Sequence, residues 1–109
     1  MGSGVAGLQA IATAKRLGAI VYASDVRKSA AEQIESVGGR FIEVEGMDDF
    51  EDDSGYAKPL TPEFIKKVND TVCEVASESD IIVTTARIFG RPAPITIPAS
   101  AVSTFKSGT

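Results

Sequence analysis

Hydrophobic positions recur along the chain with two alternating periods. From Val5 to Leu17 they are small and helically spaced (Val5, Leu8, Ile11, Ala12, Leu17). Lys15 and Arg16 stand in the last turn, where positive charge complements the helix dipole. Gly18 follows as a C-terminal cap, and the pattern predicts a helix over 5–17. Ile20-Val21-Tyr22-Ala23-Ser24 is a short β-type run ending at Asp25. A second helix is predicted over 29–37, with Ala31, Ile34 and Val37 on one face and Gly38-Gly39 closing it. Phe41-Ile42-Glu43-Val44 predicts the next strand. Residues 45–60 have no periodicity and form a long connection, a length that tends to accompany function. Thr61-Pro62-Glu63 places a cap residue before a proline at the first helical position. The helix it opens is predicted to reach about Ser79 and to bury Phe64, Val68, Val72 and Val75. Asp80-Ile81-Ile82-Val83-Thr84-Thr85 predicts a third strand, apolar enough to be buried in a parallel sheet. A proline-bearing loop over 86–98 and a short last helix over 99–106 complete the reading.

Helices alternating with strands in this order predict an α/β fold, a Rossmann-like doubly wound parallel sheet with crossover helices. The 109 residues suit one small domain, and 43% hydrophobic with 24% charged residues is a globular composition. No apolar run approaches the ~20 residues of a membrane span. A net charge of −4 and the absence of a basic stripe argue against a nucleic-acid partner. The single cysteine, Cys73, cannot form an intrachain disulfide; its apolar helical neighbours predict a buried small residue. With no histidine, Ser-His, Cys-His and histidine acid–base mechanisms are excluded within these residues, and no set of ligands suits structural zinc.

Gly2-Ser3-Gly4-Val5-Ala6-Gly7 fits G-x-G-x-x-G at the opening of a helix. In such a turn Gly2 permits the tight bend, Gly4 lets the backbone approach a pyrophosphate, and Gly7 lets the helix pack against its strand. The N–H groups and positive dipole of the helix start then hold a diphosphate without a basic side chain. Asp25 ends a β-run eighteen positions beyond Gly7 (7 to 25), close to the usual ~20-residue offset of the acid that accepts hydrogen bonds from ribose hydroxyls. A carboxylate there repels a 2′-phosphate and favours NAD(H) over NADP(H), while Arg27 works the other way by offering that phosphate a partner. As plain structure, the glycines are a helix start and Asp25 is a cap for the segment near Arg27. The strand expected before Gly2 belongs between those at 20–24 and 80–85, so residues 1–109 are expected to be a partial NAD(H)-binding Rossmann domain, or another chain or segment is expected to fill that place. The first and last strands of the sheet are expected to lie outside them.

A longer pattern is more specific. Gly4-Val5-Ala6-Gly7-Leu8-Gln9-Ala10-Ile11-Ala12-Thr13-Ala14-Lys15-Arg16-Leu17-Gly18-Ala19 combines with Ser24-Asp25-Val26-Arg27, Glu32-Gln33-Ile34-Glu35-Ser36, Gly55-Tyr56-Ala57-Lys58, Thr84-Thr85-Ala86 and Pro92-Ala93-Pro94. Over nearly the whole chain this resembles the NAD(H)-binding domain of the alpha subunit of proton-translocating NAD(P) transhydrogenases. Alanine dehydrogenases are similar in the glycine turn. The resemblance implies an enzyme that passes hydride from NADH to NADP⁺ held on a partner domain, coupled to proton movement through a membrane domain. It implies no acid or base, in accord with the missing histidine. It matches Gly2, Gly4, Val5, Ala6 and Gly7 to the pyrophosphate turn and Asp25 and Val26 to the ribose and adenine contacts. Gly55, Tyr56 and Ala57 match a loop whose tyrosine folds over the nucleotide, and Thr85 and Ala86 match the strand end on the nicotinamide side. The residues that orient the nicotinamide in that family lie upstream, so these residues alone are expected not to catalyse transfer. The family also implies a homodimer and a peripheral position on a bacterial plasma membrane (cytosolic side) or mitochondrial inner membrane (matrix side). Arg87 and Phe89 depart from the family's usual Leu and Pro, and Pro59 from its Glu after Lys58.

Two other readings stand beside it: an NAD-dependent alanine-dehydrogenase-type oxidoreductase, and a non-catalytic nucleotide-binding module, since glycine turns with a later acid also occur in regulatory NAD-binding domains and in S-adenosylmethionine-dependent methyltransferases. Tyr56 reads equally as a packing anchor. The acids from Asp48 to Asp53 lack an EF-hand's glycine and terminal glutamate and read as a solvated loop rather than a metal site. Ser3 and Ser24 read as turn hydroxyls, with no base to make them nucleophiles.

Overall fold

Helix α1 (Val5–Arg16) is built from strong helix formers, Ala, Leu, Gln and Lys among them, and carries Lys15 and Arg16 in its last turn. Its end is a Schellman motif. Gly18 N–H donates to the Lys15 carbonyl (3.0 Å) and Ala19 N–H to that of Ala14 (3.0 Å). Helix α2 (Ala30–Ser36) closes in the same way, Gly38 N–H reaching Glu35 (2.9 Å) and Gly39 N–H reaching Ile34 (3.0 Å). Between them lies β1 (Tyr22–Ala23), and after α2 comes β2 (Arg40–Phe41). The computed structural model describes residues 1–47, 61–87, 90 and 92–109.

β1 and β2 pair in parallel, Tyr22 opposite Arg40 and Ala23 opposite Phe41, so β1-α2-β2 is a βαβ unit. Helix α3 (Pro62–Ser77) starts as expected: Thr61 Oγ1 accepts from Phe64 N–H at 3.2 Å and Pro62 opens the first turn. Helix α4 (Ala99–Val102) is shorter than the expected 99–106.

Two apolar clusters hold these elements together. Ile11, Ala23, Ala30 and Ile34 form one, with Leu8, Val21 and Val37 against it. Val44, Met47, Phe64, Val68 and Val72 form the other, with Met1 and Ile42 against it. Phe41 of β2 packs on both, which ties α1 and α2 to α3 through the sheet.

In α1, Val5 is 91% exposed and Leu17 is also in solvent, because the inward stripe of the helix runs through Gly7 and Ile11, one turn apart. Several expectations need correcting. In α3 the fourth buried position is Ala76, one turn after Val72, and Val75 is half-buried. Cys73 is half-buried rather than buried. The 80–85 run is not a buried strand: Ile81 is 82% exposed and Val83 half-exposed. Its neighbour among the described residues is Met1, whose amino group donates to the Val83 carbonyl (2.9 Å) and whose carbonyl accepts from Thr85 N–H (2.9 Å). On the other side Gly2 N–H donates to the Ser24 carbonyl (2.9 Å). Met1-Gly2 thus lies between the end of β1 and residues 83–85, the lane expected for the strand before the glycine turn.

Candidate functional site

The glycine turn is wedged between α1 and the 85–86 run. Gly2 has φ +87°, and a Cβ on it would meet the Ala86 nitrogen at 2.9 Å, so both conformation and space demand glycine. Gly7 is buried, and a Cβ there would lie 2.0 Å from the Gly2 carbonyl oxygen and 3.0 Å from Thr85 Oγ1. Thr85 Oγ1 donates to the Gly2 carbonyl at 2.9 Å, fastening the turn to the neighbouring run. Thr85 and Ala86 therefore support the turn directly.

Gly4 caps α1 in extended conformation, and a Cβ on it would meet nothing within 4 Å. Neither strain nor packing asks for glycine here; open space in front of the backbone remains. No side chain caps the helix start, and its first turn has no acid, so its N–H groups and dipole face outward with Val5 and Ala6 exposed beside them.

Asp25 stands at the end of β1 with its side chain 8% exposed. Its Oδ2 accepts from Ser3 N–H (2.9 Å), Ser3 Oγ (2.6 Å) and Arg27 Nη2 (3.3 Å). Its Oδ1 accepts from Arg27 N–H and Arg27 Nε, both at 3.0 Å. Burial opposes the charged form, but the bonds from Arg27 and Ser3 outweigh it and pull the pKa down to about 2. The carboxylate is an anion throughout the physiological range. Val26 follows, half-exposed beside it.

The structure thus brings together Gly2, Gly4, Val5, Ala6, Gly7, Asp25, Val26, Arg27, Thr85 and Ala86 around the start of α1 and the end of β1. Gly55, Tyr56 and Ala57 lie outside the described residues, as do the acids from Asp48 to Asp53, Pro59 and Phe89. Arg87 is exposed.

Ser3 gains a role that its place in the sequence hides. It is 1% exposed and ties the glycine turn to the acid of the next strand through both backbone and hydroxyl. A small hydroxyl residue between the first two glycines is the available signal, but only the fold brings it within 2.6 Å of position 25. Ser3→Ala is expected to cost about 1.5–3 kcal/mol of stability, the worth of a buried bond to a charged acceptor. It should also let the Asp25 pKa rise toward the ordinary carboxylate range. Urea denaturation and a carboxyl NMR titration read the two effects; an unchanged midpoint would remove the assigned link.

A helix start without a side-chain cap, a wedged glycine turn and an anion at the end of the next parallel strand define an α/β unit of Rossmann-like class. The family model described as "Alanine dehydrogenase/PNT, C-terminal domain" matches residues 1–109, and the chain belongs to that family. The chain is 52% identical over 110 residues to an NAD(P) transhydrogenase alpha-subunit protein of Rhodospirillum rubrum, covering 99% of this chain and 29% of that protein. It is 50% identical over 111 residues to the NAD(P) transhydrogenase subunit alpha of Cereibacter sphaeroides, covering 100% of this chain and 21% of that one. Among solved structures, the crystal structure of transhydrogenase from Sinorhizobium meliloti superimposes with a TM-score of 0.80 at 44% identity, over 100% of this chain and 27% of that chain. The chain therefore spans less than a third of the length of these relatives. Among the described residues, no helix is long and apolar enough to cross a membrane.

Proposed function

We propose that this chain is the NAD(H)-binding part of a proton-translocating NAD(P) transhydrogenase, set within a doubly wound parallel sheet. The observation that carries the reading is the join between turn and acid: Ser3 links the wedged Gly2–Gly7 turn to an Asp25 held as an anion. Identity at 52% and 50% to transhydrogenase alpha subunits favours this enzyme over an alanine dehydrogenase.

The residues present fit a dinucleotide. The N–H groups of Val5, Ala6 and Gly7 take the diphosphate at the open face of Gly4. Asp25 accepts hydrogen bonds from the adenosine ribose and repels a 2′-phosphate, with Val26 against the adenine side. Thr85 and Ala86 stand on the nicotinamide side, and the resemblance assigns Gly55, Tyr56 and Ala57 to contact with the nucleotide. Bound there, the nicotinamide supplies the hydride chemistry, with no acid or base from this chain. Position and exclusion of water are the chain's contribution. The acceptor NADP(H) belongs to a partner domain, a membrane domain carries the protons, and the assembly is a homodimer, peripheral on the cytosolic or matrix face.

The test is a fluorescence titration of the full-length protein with NADH and with NADPH, followed by an assay of hydride transfer from NADH to an NADP⁺ analogue. NADH is expected to bind at least about tenfold more tightly, the effect of a like-charge clash at the ribose. Equal affinities would remove the role given to Asp25. Alanine-dependent NADH formation would favour the amino-acid dehydrogenase reading instead.

A further inference from the structure

We propose that Arg27 is a specificity-determining residue of the ribose seat. Its guanidinium occupies the Asp25 carboxylate until a nucleotide displaces it, and so sets how steeply the seat distinguishes a free ribose diol from a 2′-phosphorylated one. The inference rests on the nucleotide-binding reading above.

A carboxylate has about four lone-pair positions. Asp25 already accepts five hydrogen bonds, two on Oδ1 and three on Oδ2. A ribose diol that donates to this acid therefore needs donors to leave. Three of them are fixed: Ser3 N–H and Oγ belong to a residue 1% exposed in the turn, and Arg27 N–H is backbone. The remaining two, Arg27 Nε and Nη2, belong to a side chain that is 49% exposed on a rotatable stem. The guanidinium is the group that yields.

Two consequences run in opposite directions. The fork on Asp25 competes with every unmodified ribose, since its two bonds must break before the diol can bind. A 2′-phosphate meets a guanidinium as well as a carboxylate, and the planar fork suits phosphate oxygens. Arg27 thus weakens NADH binding and eases the rejection of NADPH.

The experiment measures dissociation constants of NADH, NADPH and adenosine for the full-length protein and two variants. Arg27→Gln removes charge and fork; the NADH and adenosine constants are expected to fall about threefold, the scale of a half-exposed ion pair. The NADPH constant should rise about threefold, so that the preference for NADH steepens about tenfold. Adenosine carries no phosphate, so its response isolates the ribose seat from the attraction of Arg27 for the diphosphate. Arg27→Lys keeps the charge without the fork, and should bind NADH and adenosine more tightly while leaving NADPH within about twofold of wild type. A lost fold would weaken all three ligands together. An NADH-to-NADPH ratio unchanged within about twofold in Arg27→Gln, or weaker adenosine binding in both variants, overturns the proposal. A wild-type protein that binds none of the three overturns the nucleotide-binding reading as well.

Discussion

Replacing Gly7 by alanine is expected to cost the protein about 2 kcal/mol and to lower NADH affinity about a hundredfold. Two effects oppose each other at this position. Alanine is a better helix former than glycine by about 1 kcal/mol, and Gly7 lies within α1. Against that, the added Cβ would sit 2.0 Å from the Gly2 carbonyl oxygen and 3.0 Å from the Gly2 carbonyl carbon. Those are backbone atoms, which cannot rotate aside as a side chain would. Gly2 has no room to retreat, because it is close against Ala86 and its carbonyl is held by Thr85 Oγ1. Overpacking of this kind costs about 3 kcal/mol, more than the propensity gain. The turn must open, and with it the array of N–H groups to which the proposed function assigns the diphosphate. Urea denaturation and an NADH titration of the variant measure both consequences, and wild-type values in each would show that the turn is not wedged.

The second large effect falls on Asp25. Asp25→Asn is expected to lower NADH affinity about thirtyfold to a hundredfold, through the loss of charge-assisted bonds to the ribose. NADPH, relieved of a like charge, should lose little, so the wild-type preference for NADH is abolished. A variant that keeps the wild-type preference would show that the carboxylate does not select the nucleotide. The same substitution has a pH signature. Asp25 titrates at about 2 in the folded chain, below the ordinary carboxyl value near 3.9. Its depressed pKa contributes stability that is complete above about pH 4 and is lost as the pH falls through 2. Denaturation midpoints at pH 5, 3 and 2 should therefore show the gap between wild type and Asp25→Asn shrinking with acid. A gap constant over that range would contradict the assigned hydrogen bonds.

Much of the local structure is legible in the sequence because it rests on local chemistry. Thr61-Pro62 marks the start of α3, and Gly18 and Gly38 mark the ends of α1 and α2, since capping uses residues within a turn of each other. The pairing of Gly2, Gly4 and Gly7 with Asp25 is legible too, because a fixed spacing through the turn, α1 and β1 carries it. Burial is less so. The helical spacing of α1 includes Val5 and Leu17, yet both face solvent, because amphipathic periodicity marks a stripe without saying which side the sheet occupies. The 80–85 run looks like a buried strand by composition, but burial depends on neighbours, and among the described residues Met1 and Gly2 supply hydrogen bonds to it on one side while Ile81 stays exposed.

Residue type and spacing alone thus predict the βαβ rhythm and a candidate site of glycine turn, helix start and acid, and a longer run of matching residues carries the resemblance to the family. These signals lie within single elements or at a fixed offset along one glycine turn, helix and strand, so they survive without knowledge of the fold. How the parts are joined is a matter of tertiary packing. Ser3 reaches Asp25 across 22 positions and Thr85 reaches Gly2 across 83, contacts that no local rule specifies. The crowding of five donors on one carboxylate, which makes Arg27 more than a neighbour, arises from that packing. A hydrogen bond depends on distance and direction in space, and over such separations only the folded chain sets both.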